Sequence, residues 1–285
     1  MKELTYFNGQ FVEPGAACVS IDDRGYVFGD GVYEVTRVYN GQLFGFSYHQ
    51  DRLYRSLRAM DIPVTMMPDD LKDLHEIMIE RSEIMNGYIY MQITRGVAPR
   101  HHAYDRSSLE PTMLMYIKPV EQSMIDGLAK GVKAIGVPDE RWLRADIKTL
   151  NLIPNILAQT KAEKAGAYTA VLYRDGICTE GAHSNLFAVK GGILYTHPAT
   201  NLILKGITRQ IILNKLVPSL SITAIEREFD EDFVKNADEL IFTDTVGGIV
   251  PILTYEDQPV NGGQVGPVAT KLLNAYNKLM GEGLA

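Results

Sequence analysis

The sequence has few cysteines, no block of basic residues and no long apolar run. Cys18 and Cys178 are its only cysteines, too few for a disulfide framework, so reduced thiols and a cytoplasmic protein are expected. The formal net charge is −7 and the pI is about 5.4, which argues against nucleic acid or an anionic membrane as partners. No stretch approaches the roughly 20 apolar residues that span a bilayer. The start, MKELTYFNGQ, lacks a signal-peptide pattern.

The composition that remains is typical of a globular enzyme or binding protein. Hydrophobic residues make up 46% and charged residues 22% of a 285-residue chain, enough for one large domain or two ordinary ones. Two Asn-Gly pairs, Asn8-Gly9 and Asn40-Gly41, lie between apolar segments and predict tight hairpins. Apolar residues at helical spacing then predict two helices, within 49–60 and 69–86. Strands and two helices are therefore predicted for an N-terminal domain, 1–119.

The second half mixes strands and helices in a different order. Strands are predicted in GVKAIGV, YTAVLYRDGICTEG, SNLFAVKGGILYT, SITAIERE and ELIFTD. Helical patterns cover about 154–165, 207–216, 230–236 and 266–280. The polar segment VEQSMIDG, 120–127, carries no regular period and is interpreted as an interdomain linker. The C-terminal domain is then 128–285.

Lys148 is the first candidate for chemistry, because mostly apolar residues surround it in WLRADIKTLNLIPNIL. Dehydration disfavours an ammonium ion. A neutral lysine amine is a nucleophile that can form a Schiff base with a carbonyl group. The ordinary alternative is a lysine whose stem packs on apolar neighbours while its head reaches water.

Two further candidates lie at the ends of predicted elements. Glu180 closes a strand of mostly apolar residues, where its carboxylate could hold a protonated ring nitrogen or could be a solvated turn residue. Gly206 precedes a helix that opens at Ile207 and Thr208, and the first amides of a helix attract anions such as phosphate. An ordinary helix start is the alternative there.

A polar loop, TRGVAPRHHAYDRSS, offers an anion-binding pair. Arg100 and His102 are two residues apart and would point the same way if the loop is extended. Arginine can bind a carboxylate through two parallel hydrogen bonds, although a solvated loop arginine is common. Tyr33 and Arg52 are weaker candidates by themselves. No metal site is predicted.

Taken together these residues resemble one family. The chain is similar to the pyridoxal 5'-phosphate enzymes of fold type IV, and most of all to the bacterial D-amino acid aminotransferases. The similar segments are DRGYVFGDGVYEV (23–35), HQDRLY (49–54), YMQITRGVAPRHH (90–102), RWLRADIKTLNL (141–152), TEGAHSNLF (179–187) and LYTHPATNLILKGITR (194–209). The resemblance covers nearly the whole length, and its combination of motifs is specific.

The resemblance implies an α+β fold and a role for each candidate. An N-terminal α+β sandwich-like domain and a C-terminal α/β pseudo-barrel would form the active site at their interface. Lys148 would hold pyridoxal 5'-phosphate as the internal aldimine and then move the α-proton, while Glu180 would pair with the ring nitrogen. The other implied contacts are Arg52, Gly206, Ile207, Thr208 and Thr245 for the phosphate, and Tyr33, Arg100 and His102 for the substrate carboxylate. D-amino acids such as D-alanine and D-glutamate would react with 2-oxo acids in a homodimer, the Arg100/His102 loop completing the neighbouring site.

Six residues depart from the family pattern, among them Val246, Gly247 and Gly248, where more polar residues are expected. Ala182 and His183 follow Glu180-Gly181 where the family has serines, and Asp244 stands where a serine is expected. An acid facing the phosphate would weaken cofactor binding, so either Asp244 points away or the cofactor is held less tightly.

Other functions remain open. An L-branched-chain aminotransferase or an aminodeoxychorismate lyase needs the same lysine and glutamate, although Tyr33 with Arg100 and His102 favours D-amino acids. A cofactor-free Schiff-base aldolase would be colourless, and it would leave Glu180 and the helix at Ile207 unused. A non-catalytic cofactor-binding protein would be yellow but would not transaminate.

Overall fold

The computed structural model describes residues 2–64 and 66–284, which fall into two compact units. The first unit runs up to Glu121 and also takes Ile147–Asn151 and the end of the chain from Met280. The second unit comprises Gln122–Asp146 and Leu152–Leu279. In the described residues, no helix is both long enough and apolar enough to cross a membrane.

The first unit is built on a six-stranded sheet. In chain order its elements are β1 (Leu4–Phe7), β2 (Gln10–Val12), α1 (Arg24–Phe28), β3 (Gly31–Tyr39), β4 (Gln42–Phe44), α2 (Phe46–Ala59), α3 (Pro68–Ser82), β5 (Gly87–Thr94) and β6 (Thr112–Pro119). The strand order is β2-β1-β6-β5-β3-β4 and every neighbouring pair is antiparallel. Both predicted Asn-Gly hairpins are confirmed, because Asn8-Gly9 joins β1 to β2 and Asn40-Gly41 joins β3 to β4, with all four residues at positive φ.

The alternation of side chains along the strands separates the two faces of this sheet. Ile89, Met91 and Ile93 of β5 are buried and pack in one cluster with Leu53 and Leu57 of α2. Neighbouring residues of a strand point to opposite faces. In β3, therefore, even-numbered residues face the helices and odd-numbered residues face away. Tyr33, the candidate residue in β3, therefore lies on the face away from the helices.

The second unit has a nine-stranded sheet and most of the remaining helices. Its elements are α4 (Gln122–Ala129), β7 (Val132–Pro138), α5 (Ile153–Lys164), β8 (Thr169–Arg174), β9 (Ile177–Gly181), β10 (Asn185–Lys190), β11 (Ile193–Thr196), α6 (Ile207–Ile211), α7 (Val217–Ser219), β12 (Ala224–Glu226), α8 (Glu231–Lys235), β13 (Glu239–Asp244), β14 (Gly248–Tyr255), β15 (Gln258–Pro259) and α9 (Pro267–Glu282). The order β12-β11-β10-β13-β14-β7-β8-β9, with β15 on β14, mixes parallel and antiparallel pairs. The predicted α+β class is confirmed.

Most predicted helices of this half lie where the pattern placed them. Helix α5 begins at Ile153, α8 at Glu231 and α9 at Pro267. The pattern over 207–216 corresponds to α6 followed by a π-helical stretch, Ile212–Leu216. The expectation of irregular chain over 120–127 is wrong, because α4 begins at Gln122. Its Met124, Ile125 and Leu128 recur at helical spacing. The role of this segment as a linker stays a prediction.

Candidate active site

Lys148 lies on a short extended segment that belongs to the first unit. The Tyr33 amide donates a hydrogen bond to the Lys148 carbonyl (3.0 Å), and the Leu150 amide donates to the Gly31 carbonyl (3.1 Å). These bonds attach the segment to the start of β3, antiparallel to it. The Lys148 Nζ lies 4.2 Å from the centre of the Tyr33 ring. Backbone hydrogen bonds thus place an amine over an aromatic face, an attractive arrangement for its ammonium form.

Several of the apolar residues expected to surround Lys148 are exposed in the structure. Trp142 is 43% exposed, Leu143 is 61% exposed and Ile153 is 66% exposed. Lys148 itself is half-buried. The expectation that these three apolar side chains surround Lys148 and exclude water is wrong, because a run of apolar residues in a loop does not determine which way each side chain turns.

Directly after Tyr33, Glu34 turns to the helix-covered face of the sheet and meets two residues of α2. Arg52 donates from Nε to Glu34 Oε1 (2.7 Å) and from a terminal nitrogen to Oε2 (2.9 Å), while His49 Nδ1 lies 3.0 Å from Oε2. All three side chains are at most 4% exposed. We call these three residues the Glu34 cluster. Arg52 is expected from the sequence at the phosphate, but the Glu34 carboxylate that orients it is not.

Burial and charge compete at the Glu34 cluster. Burial raises the pKa of Glu34, but the charge and hydrogen bonds of Arg52, helped by His49, outweigh it and hold that pKa well below the usual range. Burial lowers the pKa of His49 despite the neighbouring carboxylate. The cluster is therefore an ionised glutamate bonded to an arginine and a neutral histidine.

Arg100 and His102 lie on an exposed loop of the same unit. The Arg100 guanidinium lies 5.3 Å from the centre of the Phe28 ring, and the His102 ring lies 5.4 Å from the same ring. Within the described residues, no hydrogen bond, ion pair or ring contact joins either of them to Tyr33. Their joint role at a substrate carboxylate stays a prediction.

Glu180 is the penultimate residue of β9 in the second unit and is 4% exposed. Its carboxylate forms an ion pair with Arg141. It also accepts hydrogen bonds from Asn185 Nδ2 (2.7 Å) and from the Leu204 amide (3.1 and 3.2 Å). A carboxylate fixed by this many donors is held in one orientation.

Arg141 is shared between two acids. It donates to Asp139 from Nε (2.9 Å) and from a terminal nitrogen (2.8 Å), and Asp139 also accepts from the Thr179 hydroxyl (2.8 Å). We call Asp139, Arg141 and Glu180 the Glu180 cluster. Burial raises the pKa of Glu180, and the charge and hydrogen bond of Arg141 offset this only in part. Burial likewise opposes ionisation of Asp139, but Arg141 and its hydrogen bonds lower that pKa to about 2.

The candidate phosphate residues of the second unit lie at two chain reversals. Gly206 caps α6, and the first intrahelical bond runs from the Gln210 amide to the Gly206 carbonyl. The amides of Ile207 and Thr208 therefore precede the helical hydrogen bonds. A Cβ on Gly206 would lie 2.0 Å from Asn185 Oδ1. A glycine is thus required for the approach of the asparagine that holds Glu180.

The second reversal is the turn between β13 and β14. Thr245 lies in this turn. The Thr208 hydroxyl donates to the Asp244 carbonyl (2.8 Å), which joins the start of α6 to the turn. The Asp244 side chain turns back on its own chain, since Oδ1 accepts from the amides of Val246 (2.8 Å) and Gly247 (2.7 Å). Its carboxylate thus caps amides that would otherwise attract an anion.

The residues that the sequence analysis missed share one property: they hold the candidates in place. Glu34 orients Arg52, and Arg141 with Asn185 orients Glu180. Two signals could have found them. Glu34 is an acid at a core-facing position of β3, and Arg141 follows Asp139 in a charged segment directly after a buried strand.

Comparisons with known proteins agree on one family. The profile of amino-transferase class IV matches residues 31–255. The D-alanine aminotransferase of Staphylococcus aureus strain COL is 42% identical over 276 residues, 97% of each chain. That of Bacillus licheniformis is 39% identical over 277 residues, again 97% of each. Among solved structures, the branched-chain amino acid aminotransferase of Escherichia coli has a TM-score of 0.91 at 25% identity, covering 100% of this chain and 97% of its own.

Proposed function

The chain belongs to the amino-transferase class IV family, and from this premise we propose that it is a pyridoxal 5'-phosphate-dependent aminotransferase for D-amino acids. It would transfer the amino group of substrates such as D-alanine and D-glutamate to 2-oxo acids. The observation that carries the choice of substrate is the identity of 39–42% to D-alanine aminotransferases over 97% of the chain. The branched-chain enzyme has a similar fold but only 25% identity.

The chain's residues fit this cofactor. A Schiff-base lysine, a buried carboxylate for the ring nitrogen and amides at the start of a helix for the phosphate are the groups that pyridoxal 5'-phosphate requires. When bound, it supplies an electron sink for the pair released at the substrate α-carbon. Lys148 would hold it covalently and carry the proton at that carbon. The hydrogen bonds of the 147–151 segment to β3 fix the direction from which the amine acts.

Glu180 would accept a hydrogen bond from the cofactor ring nitrogen. Arg141 and Asn185 hold its carboxylate, and its burial raises its pKa above the ordinary value. A buried acceptor of this kind stabilises a protonated ring nitrogen, on which the electron sink depends. Because Arg141 also donates to Asp139, it offsets the effect of burial on the pKa of Glu180 only in part.

Anion binding would be divided between the two units. We assign the phosphate to Arg52, whose orientation Glu34 fixes, and to the amides of Ile207 and Thr208 after Gly206 together with Thr245. The Thr208 hydroxyl donates to the Asp244 carbonyl, so we assign only the amide of that residue to the phosphate.

The substrate α-carboxylate would be bound by Tyr33, Arg100 and His102. Arginine offers paired donors that match a carboxylate. The family resemblance supports a homodimer in which the loop of Arg100 and His102 completes the neighbouring site, and the small number of cysteines supports a cytoplasmic location.

The decisive experiment treats purified protein with D-alanine, L-leucine and L-alanine in turn and follows the cofactor absorbance. Only D-alanine should convert the cofactor rapidly. Borohydride reduction followed by peptide mapping should place the cofactor on Lys148, and Lys148→Ala should abolish turnover. A preference for L-leucine would replace this proposal by branched-chain transamination, and an adduct on another lysine would refute the role of Lys148.

A further inference from the structure

Hydrogen bonds to backbone carbonyls hold the loop that carries Arg100 and His102. Arg24, 5% exposed at the start of α1, donates to the carbonyls of His101 (2.6 Å) and His102 (3.1 Å). Its Nε donates to Asp30 (2.8 Å). A guanidinium presents its donors in a rigid planar fork. Arg24 therefore fixes two consecutive carbonyls of the loop relative to the buried Asp30.

A second arginine supports this anchor. Arg95 donates to both oxygens of Asp30 (2.8 and 2.9 Å) and to the carbonyls of Met60 and Asp61. Its guanidinium also lies 3.5 Å from the centre of the Tyr104 ring, farther along the loop. The loop is thus held at His101 and His102 and again at Tyr104, directly after the stretch from Arg100 to His102.

Phe28, at the end of α1, orients the side chains that the backbone anchor leaves exposed. Its half-buried ring contacts the Arg24 and Arg100 guanidiniums, at 4.9 and 5.3 Å, and the ring of His102. In the part of the chain that the structure describes, the Arg100 guanidinium makes no hydrogen bond or ion pair. An aromatic face attracts a guanidinium without using its in-plane N–H donors. Those donors remain available for a carboxylate.

We propose that Arg24 and Phe28 are positioning residues for the substrate-carboxylate site. Arg24 fixes the backbone of the Arg100–His102 loop, and Phe28 orients the Arg100 guanidinium and the His102 ring. The inference rests on the proposed function, because it takes Arg100 and His102 as the groups that bind the substrate. An acidic partner in place of Phe28 would orient Arg100 equally well, but it would compete with the substrate carboxylate.

The first test separates positioning from general stability. Phe28→Leu keeps apolar volume but removes the ring, so KM for D-alanine should rise roughly three- to tenfold while kcat changes less than twofold. Single-turnover rates with D-alaninamide, which lacks the carboxylate, should stay within twofold. Phe28→Tyr restores an aromatic face and should restore KM.

A matched control exists in the same unit. Phe11 lies under the Arg81 guanidinium at 4.4 Å, as Phe28 lies under Arg100. Phe11→Leu should leave KM for D-alanine unchanged. If Phe28→Leu lowers kcat for D-alanine and D-alaninamide equally, or if Phe11→Leu raises KM as much, the proposal for Phe28 is overturned.

The second test needs no activity. Trypsin cleaves after Arg100, and Arg24→Lys, which cannot hold both carbonyls and Asp30, should speed this cleavage about tenfold. Cleavage at an unchanged rate would overturn the backbone anchor. If wild-type protein fails to react with D-alanine, the proposed function is refuted, while the cleavage rates still decide whether Arg24 holds the loop.

Discussion

The Glu34 and Glu180 clusters differ in the direction in which the pKa of their glutamate is shifted. Each contains a buried glutamate bonded to a buried arginine. Burial raises the pKa of both acids, yet Arg52 and His49 more than compensate at Glu34, whereas Arg141 compensates only partly at Glu180. Asp139 contributes to this difference, because its charge raises the pKa of Glu180 and it shares Arg141, although it also pairs with Arg174 (3.2 Å). Glu34 instead has Arg52 as a bidentate partner.

The comparison teaches that a buried ion pair can anchor a side chain or support catalysis. Which of the two it does depends on how far the arginine offsets the effect of burial on the pKa of the glutamate. Glu34 is a permanently ionised anchor for an arginine that we assign to the phosphate. The pKa of Glu180 is raised above its ordinary value, which suits an acceptor facing a protonated ring nitrogen. Substitutions in the two clusters should therefore affect different measurements.

The largest effect is expected where the shared cation is removed. Arg141→Met leaves Glu180 buried without its cation and leaves Asp139 with Arg174 alone (3.2 Å), which should lower the free energy of unfolding by about 3–5 kcal/mol. Arg144→Met is the control, because Arg144 pairs with Asp146 at a surface site with a 49% exposed side chain and should cost less than about 1 kcal/mol. Urea unfolding measures both, and equal losses would contradict the importance of the shared arginine.

Substitution of each glutamate should distinguish a role in the reaction from a role in anchoring an arginine. Glu180→Gln should slow the single-turnover reaction with D-alanine by about two to three orders of magnitude, with a smaller change in substrate binding. Glu34→Gln should slow it less than about tenfold, because it acts only through the orientation of Arg52. Stopped-flow absorbance measures both rates. Similar rates for the two variants would remove the functional distinction between the clusters.

Lowering the pH should reduce the stability of the protein through His75, a buried histidine near the Glu34 cluster. Burial lowers the pKa of His75 from 6.5 to about 4. Between these two pKa values the histidine is protonated in the unfolded chain but not in the folded protein. The free energy of unfolding therefore falls as the pH drops. The loss should be about 3 kcal/mol between pH 6.5 and 4.

The measurement is the pH dependence of urea unfolding. His75→Leu cannot take up the proton, so its stability should decline less over that range than that of the wild type. An identical decline in both proteins would show that His75 is not the group responsible.

The smallest effect is expected from substitutions of Asp244. Within the described residues Asp244 forms no ion pair, and its carboxylate caps the amides of Val246 and Gly247. Asp244→Asn keeps an oxygen acceptor but removes the charge, so pyridoxal 5'-phosphate should bind roughly fivefold tighter. Asp244→Ser, which restores the expected family residue, should bind tighter as well.

Equilibrium dialysis measures this affinity. Asp238 is the control, since it accepts a hydrogen bond from the Gly191 amide at an exposed turn, and Asp238→Asn should leave the affinity unchanged. Weaker cofactor retention by Asp244→Asn would show that the cap matters more than the repulsion.

Local patterns predicted most of the elements. The hairpins at Asn8-Gly9 and Asn40-Gly41 and the start of α6 at Ile207 follow from turn chemistry and helix starts, which are properties of neighbouring residues. Helix α4 was missed although Met124, Ile125 and Leu128 recur at helical spacing, because the segment is short and was interpreted as a polar linker. Strand order was not predictable, since the pairing of β1 with β6 joins residues more than 100 positions apart.

The candidate residues came from the resemblance, but their supports came from the structure. Lys148, Glu180 and Arg100 are recognisable in motifs. By contrast, the pairing of Arg141 with Glu180, or of Arg24 with the loop carbonyls, depends on where distant segments meet. The expected dry setting of Lys148 failed for the same reason, because side-chain direction in a loop depends on tertiary contacts.

The attachment of residues 147–151 to the first unit has a consequence for synthesis of the chain. The ribosome completes residues 1–121 first, then must make 25 residues of the second unit, 122–146, before Lys148 exists. Until then the first unit lacks the strand partner of residues 31–33. A fragment ending at Glu121 would therefore present an unpaired edge and no reactive amine at this position. Nor would any single cut divide the gene into two halves that each encode a complete unit.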